Sequence, residues 1–209
     1  MIIENEIYET YLASLLSGNR EACLNIVTTL LDEKIEIREL YTGLFQRSMY
    51  RVGELWESNE ISVAREHLAT TITENMLSAT YPYLFTGVQS TKTAIISCSA
   101  NEYHQLGGKM VADIFELHGW DAHFLGANTP LKKLLQSIDE IKPDLVALSL
   151  AVYFNVPALE ITLQALNAHY THLDILVGGH AFTWGGAGVL KKYPGSNYLE
   201  SLAQLEANL

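Results

Sequence analysis

Residues 97–130 read SCSANEYHQLGGKMVADIFELHGWDAHFLGANTP, and this stretch decides the fold. A short apolar run, Ala94–Cys98, leads into it and stops at a polar loop. An amphipathic stretch starts near Gln105, and a second strand-like run, Ala122–Leu125, follows. Working outward, further strands are predicted at Leu145–Leu150 and Ile175–Val177, with a weaker fifth near Asn197–Leu199. Helices are predicted to start near Gln105, Pro130, Pro157 and Gly186. Strands alternating with helices through short loops imply an α/β, Rossmann-like (flavodoxin-like), doubly wound parallel sheet. Such sheets take ligands in the crevice at the carboxyl ends of their strands.

The chain before this region follows a different period. Apolar residues recur at three and four, as in Leu12, Leu15 and Leu16, in Leu24, Val27 and Leu31, and in Leu68, Ile72, Met76 and Leu77. That spacing predicts helices. Breaks at Ser17-Gly18-Asn19, around Asp32 to Glu36, and at Ser58-Asn59-Glu60 divide the segment into four, which suggests a four-helix bundle. Phe85–Lys92 (FTGVQSTK) reads as a linker. Residues 1–88 are therefore expected to form a helical cap and 89–209 the α/β domain.

Bulk composition narrows the function classes. The chain has 209 residues, is 48% hydrophobic and 18% charged, and so can fill a core. Its net charge of -11, with no basic cluster, argues against direct nucleic-acid binding, which needs grouped Lys and Arg. No apolar run reaches 18 residues and the N-terminus lacks a signal-peptide core, so a cytoplasmic protein without a membrane span is expected. Cys23 and Cys98 show no zinc or redox spacing and read as buried thiols.

The first strand-to-helix loop carries the chemistry. His104 sits there, and a neutral imidazole is a good donor to a transition metal. Glu102, two residues earlier, is placed to accept a hydrogen bond from the other ring nitrogen, which sets the tautomer. Gly107 and Gly108 clear side chains from the first helical turn. A lone loop histidine ordinarily caps a helix or meets solvent. The carboxylate, histidine and glycine at fixed offsets in this loop shift the balance towards a ligand. No GxGxxG fingerprint is present, which disfavours a dinucleotide.

Glu102-x-His104-x-x-Gly107 resembles the Asp-x-His-x-x-Gly signature of the cobalamin-binding domains, with Glu in place of Asp. The resemblance implies that His104 is the lower axial ligand to cobalt and that the cofactor's nucleotide tail enters a slot in the sheet domain. Ser149 and Leu150, ending the third strand, resemble the family's tail-contacting Ser motif. Gly178 and Gly179, ending the fourth, resemble its paired glycines.

A second signature lies in RVGELWESNEISVAREHLATTI, residues 51–72. Trp56, nine residues, then Glu66-His67 is similar to the helical cap of adenosylcobalamin-dependent light-sensing transcriptional regulators. By that likeness Trp56 and Val63 flank the upper group of the cofactor, and Glu66 and His67 make polar contacts near it. Glu57 stands where those regulators often carry a His. Their N-terminal helix-turn-helix has no counterpart here, so signalling is expected to run through a protein partner. The resemblance implies a cobalamin-binding sensory protein without catalysis of its own, holding adenosylcobalamin, with methylcobalamin as the other candidate and a homo-oligomer among the arrangements it admits. The alternatives are a corrinoid methyl-group carrier that partners a methyltransferase, and a degenerate module binding another tetrapyrrole such as haem. His118, His123, His169 and His172 show no partner in the sequence, and His180 is given no role.

Overall fold

The computed structural model describes residues 2–85, 87 and 90–209. The chain divides into two compact units, Met1–Leu84 and Phe85–Leu209. The boundary expected at 88/89 and the middle of the expected linker fall on Thr86, Val88 and Gln89, which lie outside the described residues.

In the helical unit, α1 (Asn5–Ser17) ends because Gly18 turns left-handed at φ 79°, and its N–H returns to the helix's last carbonyls. Asn19 then caps α2 (Arg20–Asp32), its side chain accepting the Ala22 N–H. The third rod is one continuous helix with a change of pitch. It runs through α3 (Ile37–Glu39), a π-helical segment Leu40–Gln46, and α4 (Arg47–Glu57). Ser62 caps α5 (Val63–Thr80) through the Arg65 N–H. Four rods thus form where four were expected. Tyr11, Tyr41 and Phe45 fill their centre, with Phe45 at 6.1 Å from Tyr11 and 5.8 Å from Tyr41. The Tyr41 hydroxyl is satisfied by Thr80 Oγ1 at 2.7 Å. Leu24 faces solvent, whereas Val27 and Leu31 from the same period are buried.

In the α/β unit the order is β1 (Thr93–Cys98), α6 (Leu106–Leu117), β2 (Asp121–Phe124), α7 (Leu131–Ile141), β3 (Leu145–Ser149), α8 (Val156–His169), β4 (Asp174–Gly178), β5 (Ser196–Leu199) and α9 (Leu202–Glu206). The five strands are all parallel in the order β2-β1-β3-β4-β5. Helices cover both faces, as parallel sheets require. Ile95, Val146 and Leu148 pack with α7 and α8, while Ile96 and Ala147 pack with α6 and α9. Trp120 closes the second face edge-on against Phe115 at 5.1 Å.

Two elements differ from expectation. The segment after Gly186 is a 3₁₀ run, Ala187–Lys192, not an α-helix. Gly185 and Gly186 both adopt positive φ, and Pro194 follows closely, so too few residues remain for an α-helix to propagate. The short α9 was not expected. It forms because Ser201 caps it through the Gln204 N–H and Leu205 is buried.

Helix α6 leaves β1 towards one face and α8 leaves the neighbouring β3 towards the other, so the crevice of this sheet opens at the carboxyl ends of β1 and β3. Among the described residues no helix is long and apolar enough to cross a membrane.

Candidate cofactor site

Glu102 is the centre of the β1–α6 loop and is fully buried. Its Oε1 faces His104, accepting the backbone N–H at 2.9 Å and pairing with ring Nδ1 at 2.7 Å. Its Oε2 accepts the N–H groups of Ala151 at 3.0 Å and Val152 at 2.9 Å, from the β3–α8 loop, with Asn155 Nδ2 at 3.4 Å. Burial pushes the carboxyl's pKa up, but the bonds from His104 and Val152 outweigh it and bring it down to about 2. An ionised carboxylate only accepts, so Nδ1 carries the proton. Nε2 is then the nitrogen through which the imidazole would hold a metal. The His104 side chain is 62% exposed. Sequence reasoning foresaw the Glu102–His104 bond.

One neutral imidazole is a single donor, and among the described residues no group of three His, Cys, Asp or Glu could hold a metal ion. A lone imidazole of this kind would serve as one donor to a metal that a cofactor already holds.

The sheet end beside His104 is built from small residues on the α6 side. A Cβ on Gly107 would lie 3.7 Å from Ser149 Oγ. One on Gly108 would lie 3.0 Å from the Phe124 ring and 3.4 Å from Cys98 Sγ and Ser149 Cβ. Gly178 aligns with Ser149 in register, and a Cβ there would lie 3.0 Å from the Leu199 carbonyl oxygen. Ser149 and Leu150 part company, as adjacent strand residues do. Leu150 is fully buried in the cluster packed on α7 and α8, so its part in the site is its backbone, which bonds Gly178 and Ala181. Gly179 has φ 123°, and a Cβ there would lie 2.2 Å from the Leu150 oxygen. Close backbone packing alone requires this glycine.

Sequence reasoning missed Asn128, Asn155 and Phe124. Asn155 donates to the Asn101 carbonyl at 3.1 Å as well as facing Glu102. The signal for Asn128 was its place in a strand-to-helix turn, Gly-Ala-Asn-Thr-Pro, where Asn adopts left-handed backbone readily.

In the helical unit Trp56 is 47% exposed at the end of α4, so it is not a core residue. Val63 is exposed in the first turn of α5. Glu66 is mostly covered, accepts the Thr70 hydroxyl at 2.9 Å and lies 3.7 Å from His67 Nε2. The geometry thus gathers Val63, Glu66 and His67 on one helical face, as their spacing indicated. Cys23 and Cys98 are buried and free, and burial raises both thiols, to about 11 and about 12. Three of the histidines read as partnerless do have partners. His118 and His169 bond carbonyls one turn back, and His123 lies 3.3 Å from Asp121. Sequence spacing cannot show bonds made by ring rotamers.

Two family models match the chain, both described as a B12 binding domain, one over residues 7–80 and the other over 92–200. The chain is similar to the HTH-type transcriptional repressor CarA of Myxococcus xanthus, 34% identical over 90 residues covering 43% of this chain and 31% of that protein. It is 25% identical to the HTH-type transcriptional repressor CarH of the same organism over 177 residues, 83% of this chain and 58% of that protein. The matched stretches thus span 31% and 58% of the length of these two relatives. Among solved structures it is similar to the monomethylamine corrinoid protein of Methanosarcina barkeri, at TM-score 0.83 and 15% identity, covering 99% of this chain and 98% of that one.

Proposed function

This chain belongs to the B12-binding domain family and is a cobalamin-binding protein, and from that premise we propose that it holds adenosylcobalamin through His104 and acts as a light-responsive regulatory module working through a protein partner. The observation that carries the binding mode is the buried Glu102 carboxylate, held by the β3–α8 loop and bonded to His104 Nδ1. It fixes the imidazole's tautomer and direction before any cofactor arrives. Gly107 and Ser149 lie together on the α6 side of the sheet end, where the nucleotide tail would enter, and Gly178 and Gly179 let the backbones of β4 and its neighbours pack closely beneath it.

The regulatory reading rests on the helical unit. An exposed Trp56, with Val63, Glu66 and His67 on the face of α5, supplies an apolar wall and polar groups suited to an adenosyl group. When bound, the cofactor supplies a cobalt–carbon bond that light can break. The protein's part is to hold the upper group and to turn its loss into a change of shape.

A second reading, a corrinoid methyl carrier serving a methyltransferase, is favoured by the fold shared along nearly the whole chain with the monomethylamine corrinoid protein. The family assignment favours cobalamin over another tetrapyrrole. One experiment separates the two readings. The protein is loaded with adenosylcobalamin in the dark, and its absorption spectrum and elution volume are recorded before and after green light. The regulatory reading expects both to change. An altered spectrum with an unaltered elution volume, together with tighter binding of methylcobalamin than of adenosylcobalamin, supports the carrier.

A further inference from the structure

Three consecutive residues just before His104 are all held by one residue of a different loop. Asn128 lies in the turn between β2 and α7. Its Oδ1 accepts the Asn101 N–H at 2.8 Å, its own N–H donates to the Glu102 carbonyl at 2.7 Å, and its Nδ2 donates to the Tyr103 hydroxyl at 3.1 Å. Asn101 and Asn128 both take left-handed backbone, at φ 67° and φ 48°. That conformation costs other non-glycine residues more, because the short Asn amide can bond locally. Parallel pairing of β1 with β2 delivers the two loops side by side, and the ladder continues past the strands through Leu125 N–H to Ile96 O and Cys98 N–H to Gly126 O.

Building on the reading of His104 as the cobalt ligand, we propose that Asn128 is a positioning residue for that histidine. It acts through the backbone of 101–103 rather than by touching the cofactor. The Glu102 carboxylate reaches Nδ1 from a buried, fixed position only if the backbone at Asn101 and Glu102 keeps its turn. Asn128 supplies the acceptor and donor that hold that turn, from a loop that carries no proposed cofactor contact. A loop fixed in advance loses less freedom when the metal binds, so affinity rises without a new contact to the ligand. The bond to Tyr103, which is 67% exposed beside His104, extends the same clamp to the surface.

The test compares the full chain with Asn128→Gly, Asn128→Asp, His104→Ala and the Asn128→Gly/His104→Ala double variant. Glycine accepts φ 48° without strain and removes only the side chain. Aspartate keeps the acceptor for Asn101. The probe is hydroxocobalamin, followed by absorbance titration, and the loaded proteins are reduced to the cobalt(II) form to read nitrogen splitting in the electron paramagnetic resonance spectrum. Asn128→Gly is expected to weaken binding about three- to tenfold, below the roughly 10- to 100-fold typical of groups that bond a metal ligand directly. The fraction of cobalt with a protein nitrogen should fall with it. Asn128→Asp should restore both, and Asn128→Gly should add nothing when His104 is already alanine. Wild-type binding in Asn128→Gly, an equal loss in the His104→Ala background, or a large drop in the melting temperature of the cofactor-free protein would each overturn the proposal. If His104→Ala itself binds and splits like wild type, the ligand assignment falls and this inference with it. If His104→Ala loses the splitting and Asn128→Gly does not, only the inference falls.

Discussion

Glu102 Oε1 lies 2.7 Å from His104 Nδ1, and the same carboxylate holds the Ala151 and Val152 N–H groups through Oε2. One buried anion thus ties the proposed ligand loop to the loop after β3. Replacing it has two consequences at once.

Glu102→Gln keeps the size of the side chain but adds two donors to a site made of donors. Whichever way the amide turns, its NH₂ meets N–H groups. The expected cost is about 1–3 kcal/mol of folding stability, with cobalamin binding weakened about 10- to 100-fold. Urea unfolding of the cofactor-free protein and a hydroxocobalamin titration read the two effects separately. A loss of binding with unchanged stability would mean that the Ala151 and Val152 bonds contribute nothing.

The same carboxylate sets a pH dependence. Its pKa in the fold is lowered to about 2 from 4.5: burial alone would raise it, but the His104 and Val152 bonds prevail. A depressed folded-state value gives stability that is present above the unfolded value and lost as pH falls through the folded one. The stability gap between wild type and Glu102→Gln should therefore shrink as pH falls from about 4.5 to 2. Unfolding curves taken across that range check it, and a gap that stays level on acidification would refute the assignment.

Two glycines of the site should respond oppositely to alanine. Gly179→Ala places a Cβ 2.2 Å from the Leu150 oxygen at a φ of 123°, so we expect loss of at least about 3 kcal/mol or failure to fold. Gly107→Ala meets only Ser149 Oγ at 3.7 Å within a helix, where alanine is favoured by up to about 1 kcal/mol. The cofactor-free Gly107→Ala protein should be as stable as wild type or more so, yet bind cobalamin less tightly. Undiminished affinity would remove Gly107 from the proposed site.

Trp56 is half-exposed, so Trp56→Ala should cost under about 1 kcal/mol of stability. If its indole is a wall for the upper group, the adenosyl form should be retained less well while hydroxocobalamin binds nearly as before. Parallel titrations with the two forms decide the matter, and equal affinities for both in the variant and the wild type would reduce Trp56 to a surface residue.

The sequence by itself determined the two periods, and with them four helical rods followed by a parallel sheet, because burial of one face forces apolar residues into the spacing of the element that carries them. It also determined the local pair Glu102 and His104, which are two residues apart and meet within one loop. Only the tertiary structure decided what holds that pair. Ala151, Val152 and Asn155 lie about fifty residues downstream and Asn128 about twenty-five, and they reach Glu102 and its neighbours because β1 pairs with both β2 and β3. It alone showed that Gly179 answers to the Leu150 backbone, that Leu150 turns into the core while Ser149 faces α6, and that the run after Gly186 is too short for an α-helix. Contacts of that kind depend on which strands become neighbours and on which way each side chain leaves the sheet, and no spacing along the chain encodes them.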